Sequence, residues 1–211
     1  MRAPLAPALA AVVLVSRAPD AARALLASAL GLRAAECRYA GASVPLLMAG
    51  AVTLVIVPPG HPLAAGAEQP GVHHIALAVA DPLAVAGDLA AGPARPGLDV
   101  LVEVALAPAA TAGVRSVLTA PPRFTQAPAP LIEQLDHIGI ASADNDAAIA
   151  IFHDRLGLPI ESRQTDMEVT LAVESFTSDK YGVVYHTRPP VPVGGLRVAF
   201  LGAGVCDLEL L

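Results

Sequence analysis

Two histidines and one glutamate are the side chains of this sequence that best suit a metal site. His74 and His137 open the similar segments HIALA and HIGIA, and Glu209 lies in the C-terminal segment DLEL. Two imidazoles and one carboxylate can hold a divalent metal ion and leave coordination positions open for a substrate. The metal then acts as a Lewis acid on substrate oxygens, and a neighbouring carboxylate can move a proton. We therefore predict His74, His137 and Glu209 as metal ligands.

All three residues fall on predicted strands, in which side chains alternate between two faces. His74 and His137 each share a face with glycine or alanine two and four positions further on, which leaves space beside the imidazole. In residues 207–210 the two acidic side chains share one face and the two leucines share the other. His73 points to the opposite face from His74, and we predict that it is a hydrogen-bonded core histidine.

The chain matches itself at two offsets. At an offset of 126 residues, 11–32 aligns with 137–158 without a gap, and at 63 residues, 74–78 aligns with 137–141. Each copy begins with a predicted strand, and in the first and third copies a helix follows, ending at Gly31 or Gly157. The unit that this pattern predicts is β-α-β-β-β.

Three modules follow from the repeat, separated by two segments rich in proline and alanine, 58–70 and 120–130. Module 1 covers 8–57, module 2 covers 71–121 and module 3 covers 131–211. Module 1 has apolar residues at both ligand positions and is predicted to be degenerate. Module 3 bears both a histidine and a carboxylate, and we expect its C-terminal partner module to be missing from the chain.

Composition excludes several classes of function. The 211 residues are 55% hydrophobic, but the longest apolar stretches fall short of the roughly 18–20 residues that span a bilayer. The net charge of −6 and the scattered basic residues argue against binding nucleic acid. Cys37 and Cys206 are too few for a disulfide framework and fit a reducing compartment. We expect a cytoplasmic protein with a small-molecule substrate, and neither a membrane nor a nucleic acid as partner.

Three segments of module 3 resemble the vicinal oxygen chelate superfamily: LDHIGIA at 135–141, LGL at 156–158 and LELL at 208–211. This superfamily includes glyoxalase I, methylmalonyl-CoA epimerase, extradiol dioxygenases and 4-hydroxyphenylpyruvate dioxygenase. The resemblance implies a glyoxalase-like α+β fold, in which repeated β-α-β-β-β modules form curled mixed sheets. It also implies metal ligands on the first and last strands of a module, which correspond to His137 and Glu209.

The resemblance further implies a metal-dependent enzyme. The expected reaction is of the epimerase or lyase type, with an enolate-like intermediate of a small oxo-acid or acyl thioester stabilised by the metal. One alternative is a non-haem iron dioxygenase resembling 4-hydroxyphenylpyruvate dioxygenase, and another is a metal-free protein that binds or sequesters a ligand or drug. The expected cofactor is a divalent metal ion, and the residues fit Fe, Mn, Co, Ni and Zn equally.

Superfamily members pair their modules, so module 3, which has no fourth module to pair with, has three possible arrangements. The chain is truncated, module 3 pairs across a homodimer, or modules 2 and 3 come together. Only the last arrangement unites His74 with the other two predicted ligands inside one chain. Weaker candidates for a catalytic role are Glu174, Tyr185 and His186, which lie on either side of the polar segment 175–181.

Overall fold

The computed structural model describes residues 7–122, 131–165, 169–178, 182–193 and 197–211. Within these ranges the chain has fourteen strands and three α-helices, so the predicted α+β class is confirmed. No helix among the described residues is long and apolar enough to cross a membrane.

The first β-α-β-β-β unit consists of one helix and four strands. These elements are β1 (Ala8–Val15), α1 (Pro19–Leu30), β2 (Arg33–Tyr39), β3 (Ala42–Ala49) and β4 (Val52–Val57). Helix α1 begins with a proline, whose fixed φ suits the first turn, and ends at Gly31, which adopts the left-handed conformation (φ 67°) as predicted.

The second unit has shorter elements. They are β5 (Gly71–Ala78), α2 (Pro82–Ala86), β6 (Arg95–Pro96), β7 (Val102–Ala105) and β8 (Ser116–Thr119). The sequence pattern places helices only in the first and third copies, and the structure adds the short helix α2 in the second. The Asp81 side chain accepts a hydrogen bond from Ala84 N and caps this helix.

Strands β1 to β8 form one mixed sheet in the order β2-β3-β4-β1-β5-β8-β7-β6. Its centre is the antiparallel pair β1 and β5, which joins the two units. Within each unit the first strand runs parallel to the last, β1 with β4 and β5 with β8. The residues at this centre are mostly buried on both faces, as expected where strands are covered on both sides.

The remaining elements form a second mixed sheet and a long hairpin. They are β9 (His137–Ile140), α3 (Asn145–Ile149), β10 (Ile160–Thr165), β11 (Val169–Ser178), β12 (Gly182–Val193), β13 (Arg197–Ala203) and β14 (Cys206–Leu210). Four strands pair in the order β10-β13-β14-β9, and β11 pairs with β12 alone. Helix α3 is capped by Asp144, continues as a π-helix over Ala150–Arg155 and is followed by Gly157 in the left-handed conformation (φ 79°).

One apolar cluster joins the two sheets. Leu201, Leu208 and Leu210 of the four-stranded sheet are completely buried in the same cluster as Ile75 and Leu77 of the eight-stranded sheet. Apolar burial of this kind stabilises by about 25 cal/mol per Å² of surface removed from water. The leucine face of β14 therefore holds the sheet in place, and its acidic face points away from the core.

A backbone hydrogen bond, an ion pair and a close approach at a glycine connect the segments of the two sheets. Leu135 N donates a hydrogen bond to Ala49 O over 3.4 Å, and Arg155 forms an ion pair with Asp88 over 3.0 Å. A Cβ atom at Gly50 would lie 2.7 Å from the backbone oxygen of Glu133, and Gly50 has a positive φ of 65°. Only glycine fits this turn without strain, so the close approach of the two segments depends on it.

Candidate active site

His137 and Glu209 meet on the exposed face of the four-stranded sheet. Strands β9 and β14 run parallel, and Glu209 lies beside Gly139 in their register. The Nε2 atom of His137 lies 3.4 Å from Oε2 of Glu209. The imidazole is 44% exposed and the carboxylate is 19% exposed, so both side chains remain open to a small molecule.

Small and aromatic neighbours shape the space around this pair. A Cβ atom at Gly139 would lie 3.7 Å from Oε2 of Glu209, an ordinary contact distance, so the strand backbone at Gly139 lies directly beside the carboxylate. The ring of Phe200 packs edge-on against the imidazole, with 5.9 Å between ring centroids. The site therefore has an apolar wall beside two polar groups, which is typical of small-molecule sites.

Asp136 holds the other nitrogen of the His137 ring. Its Oδ2 atom lies 3.1 Å from Nδ1, where the carboxylate accepts a hydrogen bond from Nδ1–H and leaves Nε2 free to bind. This hydrogen bond raises the pKa of His137, burial acts in the opposite direction, and the nearby charges of Glu209 and Asp207 raise it further. A carboxylate behind an imidazole is the usual partner of a metal-binding histidine.

A second pair of carboxyl groups lies next to His137. Burial raises the pKa of Asp207, and so do the charge of Glu161 and a hydrogen bond with it. Asp207 lies opposite His137 in the parallel register, so the two side chains share a face. A Cβ atom at Gly202 would lie 2.6 Å from Oε1 of Glu161, which shows that the glutamate extends over this glycine.

Sequence reasoning missed Glu161. The strand pattern predicts no element over 160–165, and the residue sits at a register shift in the pairing of β10 with β13, between Ile160 and Ser162. A bulge of this kind re-aims a side chain, and only the pairing with another strand produces it.

The predicted ligand His74 lies apart from this pair. It is on β5 in the eight-stranded sheet, is 5% exposed and bonds to His73. Among residues whose placement is described, no group of three or more His, Cys, Asp or Glu side chains is arranged to hold a metal ion. His73 is hydrogen-bonded as predicted but is only half-buried, because it lies beside a surface cleft.

The side chains of Glu174, Tyr185 and His186 lie outside the described part of the structure. The backbone of the β11–β12 hairpin pairs Glu174 with His186, so these two positions are neighbours across the hairpin. Their role as catalytic groups stays a prediction.

The structure resembles solved structures, whereas no protein-family model and no curated protein sequence matches the chain. A 4-hydroxymandelate synthase variant from Streptomyces coelicolor has 16% sequence identity and a TM-score of 0.57 over 97% of this chain. The chain has the vicinal oxygen chelate fold. It spans 62% of the length of that synthase.

Smaller solved structures match part of the chain. Methylmalonyl-CoA epimerase from Mycobacterium tuberculosis is 19% identical with a TM-score of 0.47, and covers 58% of this chain and 93% of its own. A hypothetical protein from Bacillus halodurans C-125 is 14% identical with the same TM-score, and covers 57% of this chain and 99% of its own.

The donor atoms of His137 and Glu209 fit two ligands of a divalent metal ion in this vicinal oxygen chelate fold. An imidazole nitrogen and a carboxylate oxygen are both common ligands of first-row metals, and the ring orientation is set by Asp136. A site of two histidines and one carboxylate needs one further donor, which His74 does not provide from the other sheet.

Proposed function

We propose that the protein is a metal-dependent enzyme in which His137 and Glu209 are two of the metal ligands. The observation that carries the proposal is the 3.4 Å separation of Nε2 and Oε2, combined with the carboxylate of Asp136 behind the ring. A hydrogen bond from Nδ1–H to the Asp136 carboxylate favours the tautomer that binds a cation through Nε2. The proposed substrate is a small oxo-acid or acyl thioester.

A divalent ion at this pair supplies Lewis-acid stabilisation of negative charge on substrate oxygens. The residues of the chain orient the substrate and hold a proton. Phe200 provides a flat apolar wall, and Asp207, whose pKa burial and Glu161 raise, is placed beside the imidazole to hold a proton on its carboxyl group.

The remaining donors come from outside the described residues in this proposal. The His137 side chain is half-exposed on an open sheet face, where a second copy of the chain or a further module can approach. We propose a homodimer through this face as the arrangement that completes the site, because a half-exposed pair of ligands needs a cover that excludes water.

Metal binding tests the proposal directly. Purified protein, dialysed against EDTA, is titrated by calorimetry with Mn²⁺, Co²⁺, Ni²⁺ and Zn²⁺, and with Fe²⁺ under argon. We expect stoichiometric binding that weakens by about tenfold or more in His137→Ala and in Glu209→Gln. His61→Asn is the matched control, because it removes an imidazole from the other half of the chain but keeps the acceptor that bonds to Leu63 N.

Absence of stoichiometric metal binding, or binding that neither variant weakens, would contradict the proposal. That result would favour a metal-free protein that binds a small ligand. Light scattering with and without metal tests the dimer, since a strict monomer in both states would contradict pairing through this face.

A second candidate reaction is oxygenation of a 2-oxo acid by non-haem iron. It is retained because the solved structure that resembles 97% of the chain is a 4-hydroxymandelate synthase. Oxygen uptake by the iron-loaded protein with 2-oxo acids would support this candidate. Exchange of the substrate α-proton in D₂O without oxygen uptake would support the epimerase or lyase reaction.

A further inference from the structure

A second polar cluster lies in the eight-stranded sheet and does not include His137 or Glu209. A cleft of about 350 Å³ opens between the segment 64–67 and strands β5, β7 and β8. Its polar residues are His73, His74, Arg95, Arg115 and Ser116. Its other walls are alanine and further apolar residues, among them Ala64, Ala105, Leu106 and Val117.

The two histidines form one hydrogen-bonded unit. Their Nδ1 atoms are 2.7 Å apart and the rings meet edge-on. One ring must donate a hydrogen bond from Nδ1–H, and Nδ1 of the other ring must accept it. The accepting ring therefore carries its own proton on Nε2. Since the described residues give neither Nε2 atom a hydrogen-bond partner, the unit offers one donor and one acceptor.

The histidine unit is neutral. Both rings cannot be protonated together, because two N–H groups would then face each other across the Nδ1 contact. Burial and the charges of His73, Arg95 and Arg115 lower the pKa of His74 to about 3. Burial and the same two arginines lower the pKa of His73 as well. The positive charge of the cleft therefore comes from its guanidinium groups.

One of the two guanidinium groups is compensated. Glu103, which is 4% exposed, accepts hydrogen bonds from Nε and Nη2 of Arg95 over 2.9 and 2.7 Å. Arg115 is exposed, and within the described ranges no carboxylate lies within 4.0 Å of it. The cleft therefore presents one uncompensated cation in a protein whose net charge is −6.

We propose that this cleft binds a small monocarboxylate with an apolar body. The carboxylate pairs with Arg115, and the alanine-rich walls hold the body. An oxo group beside the carboxylate accepts a hydrogen bond from the protonated Nε2 of the histidine unit, and a hydroxyl group at the same position can also donate one to the other Nε2. The volume suits such a molecule, since small-ligand sites are typically clefts of about 300–1,000 Å³ with few polar groups. The site needs no metal ion and is separate from the proposed active site.

The test uses full-length protein labelled with ¹³C-histidine, in EDTA, with the ring signals observed by NMR. The probes are α-ketobutyrate, butyrate and butyramide. We expect saturable shifts of the His73 and His74 signals with α-ketobutyrate, weaker binding of butyrate, which lacks the oxo group, and no saturation with butyramide, which lacks the charge.

Variants assign the binding to Arg115. Arg115→Gln is expected to weaken α-ketobutyrate binding by about tenfold or more, because a charge-assisted hydrogen bond is lost, and Arg115→Lys to retain part of it. Arg33→Gln, which removes an exposed arginine on β2 away from the cleft, is the matched control and should leave binding unchanged.

Three results would overturn the proposal. They are equal binding of butyramide and butyrate, equal affinity of Arg115→Gln and Arg33→Gln, and unshifted His73 and His74 signals with every probe. His137→Ala distinguishes this site from the proposed active site. It should retain α-ketobutyrate binding, and loss of that binding would place the ligand at the other site.

Discussion

The Nε2 atom of His137 lies 3.4 Å from Oε2 of Glu209, on the face of the sheet opposite to the buried leucines. The parallel pairing of β9 with β14 produces this relationship, because it places Glu209 beside Gly139 and leaves the imidazole room to approach. The alternation that buries Leu208 and Leu210 is what aims Glu209 outward. Stability and candidate chemistry are therefore set by the same two strands.

The first prediction concerns Asp136. Asp136→Asn removes the strongest influence that raises the pKa of His137, so we expect that pKa to fall. Because a proton and a metal ion compete for Nε2, the pH midpoint of metal binding should fall with it. Titration of the His137 ring signal by NMR, with metal affinity measured at several pH values, checks both effects. A pKa that does not change in this variant would contradict the geometry of the hydrogen bond.

The second prediction concerns acid stability and His74. Its folded pKa of about 3 lies below the ordinary histidine value of 6.5, so the unfolded state binds the proton first and stability falls as the pH falls below about 6.5. One such group changes the free energy of unfolding by up to about 1.4 kcal/mol per pH unit. Urea unfolding at pH 5 and pH 7 should show a smaller pH dependence in His74→Leu than in the unsubstituted protein.

The pH dependence of stability expected from His137 has the opposite sign to that expected from His74. Its folded pKa is raised, so its contribution is complete below the unfolded pKa and is lost as the pH rises through the folded value. In His137→Ala the loss of stability should therefore be larger at pH 6 than at pH 8.5. If both variants changed the pH dependence of stability in the same direction, the environment described for one of the two histidines would be contradicted.

The third prediction compares the buried face of β14 with the turn that precedes this strand. Leu208→Ala should lower the free energy of unfolding by about 2–5 kcal/mol, because Leu208 is 0% exposed in the cluster that joins the sheets. Val205→Ala, at a position that is 49% exposed, should change it by less than about 0.5 kcal/mol. Denaturant unfolding curves measure both, and equal losses would contradict the burial of Leu208 in the cluster that joins the sheets.

The fourth prediction concerns Gly202. In Gly202→Ala the new Cβ would lie 2.6 Å from Oε1 of Glu161, so the flexible carboxylate must move. The pKa of Asp207 should then fall, because a neighbouring negative charge and a hydrogen-bond partner move away. Titration of the carboxyl carbon signals by NMR measures the change. Gly139→Ala is the matched control, since its Cβ meets only ordinary contacts of 3.5 and 3.7 Å.

Local features of the sequence determined the strands and their ends. Alternation in 137–141 and 207–210 assigned His137 and Glu209 to faces, and Gly31 and Gly157 marked helix ends that the structure contains. Each of these signals depends on a few neighbouring residues, since caps and alternation are properties of the local backbone. The α+β class and the resemblance to the vicinal oxygen chelate fold follow from the same short segments.

Tertiary structure alone decided which strands are neighbours. His74 and His137 begin similar segments, yet β5 pairs with β1 and β8, whereas β9 pairs with β14. The position of His73, Arg95 and Arg115 around one cleft, and the approach of Glu161 to Asp207, also depend on pairings between distant segments. Strand order and register are set by the burial of whole faces across the core, which no short stretch of sequence contains. The sequence therefore determined which residues are candidates for the site, and the pairing of strands decided which of them lie together.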